Sequence, residues 1–205
     1  EARFASDRRT HQDGLHADLL ELFDHLFVEQ RIARDDRRVF VARRVHLRCT
    51  HADEHAIAQR FAAEGVTVAI TARTMDPDPK SQGSLGQTRE EIVASGGVAV
   101  AVQADLSDSA DRERLFAEVV DSVGAPDILV NNAAVTFRRP LDGLPEKRAR
   151  LMIEMHMIAP LYLTQLAIPG MRERGRGWIL NLISVGGDLS VGPSFDEFDK
   201  SVLVF

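Results

Sequence analysis

Two adjacent amides, Asn131 and Asn132, close the apolar run Ile128-Leu129-Val130, and two alanines, Ala133 and Ala134, follow them. Amides at the end of a buried strand are tolerable only when hydrogen-bonded. The small residues beyond them keep side chains out of the path of anything lying against the main chain. The plainer reading is a strand end with satisfied amides and no ligand. Four further residues have the same double character. Asp105, in QADLSD, is a ligand-binding carboxylate or a helix cap. Arg73, in ITART, is an anion-binding guanidinium or a surface arginine paired with loop acids. Ser184 ends an apolar strand as a hydrogen-bonding hydroxyl or as a cap. His156, in EMHMIAP, is a proton carrier or a satisfied core histidine. No metal site is expected.

The elements that must hold these residues alternate between helical and strand periods from residue 56 onward. Ile57 and Phe61 share a helix face, and Gly65 stops that helix. Residues 66–71, VTVAIT, read as a buried β-branched strand, and 74–86 as a polar Pro/Gly loop. A short helix over 87–95 ends at Gly96-Gly97, and 98–103 supply a second strand. Ser107 or Asp108 caps a third helix whose apolar positions 115, 116, 119, 120 and 123 form one stripe, closed by Gly124. A strand over 127–131, a helical region over 145–173 broken or bent near Pro160 and Pro169, and a strand over 177–183 complete the pattern. Strands buried on both faces and separated by helices imply an α/β fold with a doubly wound parallel sheet.

Composition sets outer bounds. The chain has 205 residues, 44% of them hydrophobic, enough for one domain with a sizeable core. A net charge of -6 without a basic stripe argues against nucleic acid as a partner. The lone Cys49 excludes an internal disulfide framework and fits a reducing compartment. No apolar run approaches the ~20 residues that span a bilayer, and EARFASDRRT lacks the layout of a signal peptide. A cytoplasmic protein with no membrane partner is expected. Residues 1–55 carry ten arginines, no lysine and six of the seven histidines, whereas the remainder is ordinary α/β in composition. Two parts are therefore expected: an atypical Arg/His-rich segment over 1–50 and a Rossmann-like domain over 51–205. In the first, GLHADLLELFDHLFVEQ fits one amphipathic helix. RRVFVARRVHLR has the apolar residues of a strand, but its arginines argue against a buried central one.

In order along the chain, AIAQRFAAEGVTVAITAR, QADLSD, DILVNNAA and NLISVGG resemble the short-chain dehydrogenase/reductases over residues 56–185. The resemblance implies a Rossmann-like sheet and an NAD(P)-dependent oxidoreductase acting on a small-molecule carbonyl or alcohol. It implies cofactor contacts from Arg73, Asp105, the Leu106 backbone, Asn131, Asn132, Ala133 and Ala134. NNAA stands for the family's NNAG, whose asparagine braces the sheet through backbone hydrogen bonds. Ala72 stands where NAD-preferring members carry an acid, and Arg73 beside it suits the 2′-phosphate of NADP. Ser184 matches the catalytic serine, and His156 the helix asparagine that holds a water in a proton relay.

Two family parts have no counterpart in these residues. The glycines of TGxxxGxG fall on Arg48, Ala52 and Glu54, and Glu54 places a carboxylate where the helix N-terminus meets phosphate. After Ser184 no tyrosine is followed four residues later by a lysine. The fold is accordingly expected to be incomplete at both ends, cofactor binding weak and the chain catalytically deficient. The alternative is a non-catalytic or vestigial product of a frameshifted or truncated gene, serving as an interaction module that pairs with an intact relative. A homo-oligomer would form through the 145–173 helical region.

Overall fold

A computed structural model of the chain describes residues 38–42, 52–76, 84–137 and 141–183. Five parallel strands form one sheet: β1 (Arg38–Ala42), β2 (Thr67–Ala72), β3 (Ala99–Gln103), β4 (Ile128–Asn131) and β5 (Trp178–Asn181), in the spatial order β3-β2-β1-β4-β5. The helices between them are α1 (Ala52–Ala63), α2 (Leu85–Ala94), α3 (Ser109–Val123), α4 (Glu146–Ile153) and α5 (Ala159–Glu173). This is the expected doubly wound parallel α/β fold. The chain steps outward from β1 to β3, crosses back, and resumes at β4 on the other side of β1.

The centre of the sheet lies where no buried strand was expected. β1 pairs with β2 from Arg38↔Thr67 to Ala42↔Thr71, and with β4 from Val39↔Ile128 to Ala42↔Asn131. The arginines flank this strand rather than interrupt it: the run Val39-Phe40-Val41-Ala42 is apolar, and only Arg38 stands inside the paired segment. The unit that contains the sheet begins at Arg37, upstream of the boundary expected at 50/51. The expected amphipathic helix near 15–26, the loop 77–83, residues 43–51 and Ser184 lie outside the described residues.

The two faces of the sheet are filled by residues alternating along each strand. Ala69, Val102 and Leu129 join Leu115 and Val119 of α3 and Met152, Leu163, Ala167 and Met171 of the α4–α5 region in one buried core. Val68, Ile70, Ile128 and Val130 alternate with them, and Ile57, Phe61 and Ile92 of α1 and α2 are buried as well. The stripe foreseen on α3 is the packed one, and it extends one turn earlier to Arg112, also buried. Asp108 caps that helix by accepting from the Asp111 amide at 3.0 Å, and Gly124 ends it at φ +84°, a conformation that favours glycine.

The helical region 146–173 is continuous. Glu154–Ile158 form a π-turn between α4 and α5, and Pro160 follows it. Proline has no N–H to offer the His156 carbonyl, and its ring crowds that carbonyl in a regular α-helix. A wider turn relieves both conflicts, so the expected break near Pro160 takes this form. Pro169 sits inside α5 without ending it. By length and composition Glu146–Glu173 could cross a bilayer, but its Met152, Met155, Ala159, Leu163, Ala167 and Met171 are packed into the core.

Candidate functional site

Parallel strands deliver their C-terminal ends to one edge of a sheet, and a crevice opens there where the winding direction reverses. Here the reversal lies between β1 and β4. Arg73 follows β2, Asp105 follows β3 by one residue, and Asn131 ends β4, so the sheet topology collects these residues along one edge.

The ends of β2 and β3 are tied together. The Ala104 amide donates to the Ala72 carbonyl at 3.0 Å, and Gln103 Nε2 donates to the Arg73 carbonyl at 2.8 Å. The Arg73 side chain is exposed and forms no ion pair among the described residues. It borders an open cleft of about 610 Å³, shared with Met75, Gln103, Asp105, Asp111 and Arg114.

Asp105 shapes the turn rather than capping the helix. Its Oδ1 accepts from the Ser107 amide at 3.0 Å and from Ser107 Oγ at 2.7 Å. Its own amide donates to Asp111 Oδ2 at 2.6 Å. Leu106 is buried, and its carbonyl accepts from Arg112 Nη1 at 2.6 Å. The hydrogen bond from the Asp105 amide, aided by Arg114, holds the Asp111 carboxyl below its ordinary value of 3.8 against the opposing effect of burial. A carboxyl lowered on folding contributes stability that is present above its unfolded pKa and is lost as pH falls through the folded one. Asp111→Asn is therefore expected to weaken the protein at pH 7. Its difference from wild type should shrink below about pH 4, as measured by urea unfolding at both pH values.

The two asparagines divide their tasks. Asn131 is 6% exposed. Its Nδ2 donates to Asn181 Oδ1 at 2.8 Å, across the β4–β5 pair in which the two residues stand in register. This brace runs from side chain to side chain, in contrast to the backbone bonds implied by the family pattern. Asn131 Oδ1 is buried without a partner among the described residues. Asn132 and Ala133 are half-buried and Ala134 is exposed, so the chain beyond β4 presents small groups to the crevice.

His156 stands in the middle of the π-turn, with Nε2 2.8 Å from the Val135 carbonyl and 3.1 Å from the Val135 amide. Depending on the tautomer, it donates to the first or accepts from the second. Either way it pins the segment after Asn131–Ala134 to the helix. A π-turn is rare and frequently marks a functional segment.

Asp111, Arg112, Gln103 and Asn181 join the site without having been singled out in the sequence. Arg112 carried a usable signal: it stands three residues before Leu115 on an apolar stripe, and a charge on a buried stripe requires a partner.

A nicotinamide dinucleotide, the cofactor such a fold implies, meets two kinds of surroundings. Of the residues expected at the adenosine end, Arg73 and Asp105 border one cleft, and the small Ala133 and Ala134 follow the end of β4. The diphosphate end does not fit equally well. Over α1 (Ala52–Ala63) the sequence opens ADEH, and acids at the start of a helix disfavour an anion there.

Comparison with known proteins agrees with this geometry. The sequence model described as short chain dehydrogenase matches residues 55–194. A ketoacyl reductase of Nostoc sp. is 31% identical over 66% of this chain and 45% of its own length. A fatty acyl-CoA reductase of Mycobacterium tuberculosis is 32% identical over 71% of this chain and 48% of its own. The hydroxysteroid dehydrogenase-like protein 2 of Danio rerio is 34% identical over 62% and 31%. This chain thus spans less than half the length of each of these three relatives. Among solved structures, a short-chain dehydrogenase from Streptomyces avermitilis superposes with a TM-score of 0.61 at 30% identity, covering 76% of this chain and 52% of that one. One from Mycobacterium thermoresistibile gives 0.65 at 26%, covering 82% and 57%. With sheet order and matched segment in agreement, the chain belongs to the short chain dehydrogenases, a family of NAD(P)-dependent oxidoreductases.

Proposed function

We propose that this chain is the dinucleotide-binding portion of an NADP-preferring oxidoreductase that reduces a carbonyl or oxidises an alcohol. We further propose that the 205-residue chain binds the cofactor weakly and is catalytically deficient. The observation that carries the first part is Arg73, exposed and without an ion pair among the described residues, beside the neutral Ala72 and bordering the cleft that Asp105 shares. A guanidinium there meets a 2′-phosphate and has no counterpart on NAD. Relatives named as ketoacyl and fatty acyl-CoA reductases support a carbonyl substrate. The deficiency rests on Arg48, Ala52 and Glu54 at the glycine positions, together with the start of α1 at Ala52.

When bound, the cofactor supplies or accepts a hydride. In the chain, Arg73 holds the 2′-phosphate, Asp105 and the Leu106 backbone meet the adenine, and Asn131–Ala134 line the floor. His156 keeps the loop after Ala134 in place, and Ser184 hydrogen-bonds the substrate oxygen.

Fluorescence titration with NADPH and NADH tests this reading. Arg73→Ala should weaken NADPH about tenfold or more, as expected for loss of a charge-assisted contact, and leave NADH unchanged. Glu54→Gln should tighten both by roughly two- to fivefold, the worth of a charge at a helix N-terminus. Equal affinity of the wild type for the two cofactors would refute the NADP preference. Ketone turnover by the 205-residue chain would refute the deficiency.

The 146–173 helix suggests self-association as well. Ile153, Met157 and Leu161, at four-residue spacing, are 44%, 57% and 51% exposed, and a stripe of this kind marks an interaction surface. The chain is expected to sediment as an oligomer and Leu161→Glu as a monomer; a monomeric wild type at tens of micromolar would count against it.

A further inference from the structure

Arg112, in the first half of α3, is 3% exposed and has no part in the cofactor contacts assembled so far. Burying a guanidinium is costly unless its contacts are good. One nitrogen makes the polar ones: Nη1 donates to the Leu106 carbonyl at 2.6 Å and to Glu154 Oε1 at 2.7 Å. The guanidinium carbon stands 5.3 Å from the centroid of the Tyr162 ring. Nε is buried with no partner among the described residues. A residue kept for stability alone gains little from an orphaned donor at a place where an apolar side chain packs as well.

Its two acceptors belong to different parts of the candidate site. Leu106 lies in the turn that Asp105 closes on the Ser107 amide. Glu154 opens the π-turn. Two residues further on, His156 reaches the Val135 backbone. Contacts therefore run without a gap from the Asp105 turn through Arg112 and Glu154 to the loop after Ala134.

We propose that Arg112 is a positioning residue that sets the Asp105–Ser107 turn and the His156–Val135 contact in one fixed relation. The Asp105 turn and the loop after Ala134, on two sides of the proposed seat, are thereby aligned together. The purpose rests on the cofactor reading above; the linkage itself is visible without any nucleotide.

Amide hydrogen exchange on the 205-residue chain, with Arg112→Met and Glu154→Ala, tests it. Arg112→Met severs both links, and exchange in 105–108 and in 133–136 should rise about tenfold or more as local opening becomes easier. Glu154→Ala severs one link: 133–136 should speed up while 105–108 stay as in wild type. Methionine fills much of the guanidinium's space. Should that variant not fold, Glu154→Ala, at a side chain 31% exposed, decides alone. As a second readout, both variants should weaken NADPH and the fragment 2′,5′-ADP, Arg112→Met the more, because it severs both links. A wild type that binds neither nucleotide overturns the cofactor reading, and the exchange pattern still decides the linkage. Unchanged exchange at 133–136 in Glu154→Ala, or a uniform rise throughout α3 with no distinction between the two loops, overturns the linkage.

Discussion

Leu163→Ala is expected to remove about 4 kcal/mol from the unfolding free energy, near the upper part of the range for such truncations. Leu163 is 1% exposed and packs from α5 into the core shared with Leu129 of β4 and Met152. A small, partly open pocket of about 10 Å³ already adjoins it, bordered also by Leu106, Asn131, Ala133, Met155, Ala159 and Pro160. That space is at the lower limit for a single water. Removing the isobutyl group merges the new cavity with the old one, and the helix and strand walls are too rigid to close over it. Thermal unfolding should show a fall of roughly 8–16 °C. A loss below about 2 kcal/mol, the floor for such truncations, would mean that the region collapses into the gap.

The second large effect concerns a charge. Arg174→Ala should cost about 3 kcal/mol, the lower end for removing one partner of a buried ion pair. Asp127 is 3% exposed and accepts from Arg174 Nε at 2.9 Å, while Arg174 Nη2 donates to the Pro126 carbonyl at 2.7 Å. Arg176 stands 3.9 Å from the same carboxylate and compensates in part, as does solvent at Arg174. The pair fixes the entry to β4, because the Asp127 carbonyl also accepts from the Trp178 amide at the start of β5. The double variant Asp127→Asn/Arg174→Met, which removes both charges together, should recover part of the loss in urea unfolding. A single variant as stable as wild type would show that the carboxylate is held by other groups.

Most of the architecture was legible because it depends on local periodicity. The apolar runs before Arg73, Gln103 and Asn131 end within a residue or two of the observed strands, and Gly65, Gly124 and Asp108 act as the stop and cap signals they resemble. β1 was obscured by its surroundings. A window that included Arg37, Arg38, Arg43 and Arg44 hid an apolar segment only four residues long, and the pairing that makes it central is a non-local fact. At the site, strand-end residues could be named because topology places strand ends. The partners of those residues could not. The Asn131–Asn181 bond joins positions fifty apart, Arg112 meets Glu154 across two elements, and the π-turn arises from the conflict of Pro160 with a helix that continues through it.

That turn bears on how the gene tolerates change in length. Met152 and Met171 are both buried in the same core although nineteen positions separate them, whereas five ideal turns take about eighteen. The surplus residue is taken up between Glu154 and Ile158. A one-codon deletion there would leave the flanking faces oriented as before, but it would tighten the wide turn into an ordinary one and restore the conflict with Pro160. The same deletion anywhere else in the helix would swing one half by about 100°. The length of this helix is therefore held at the turn by Pro160 and on either side of it by the packed core.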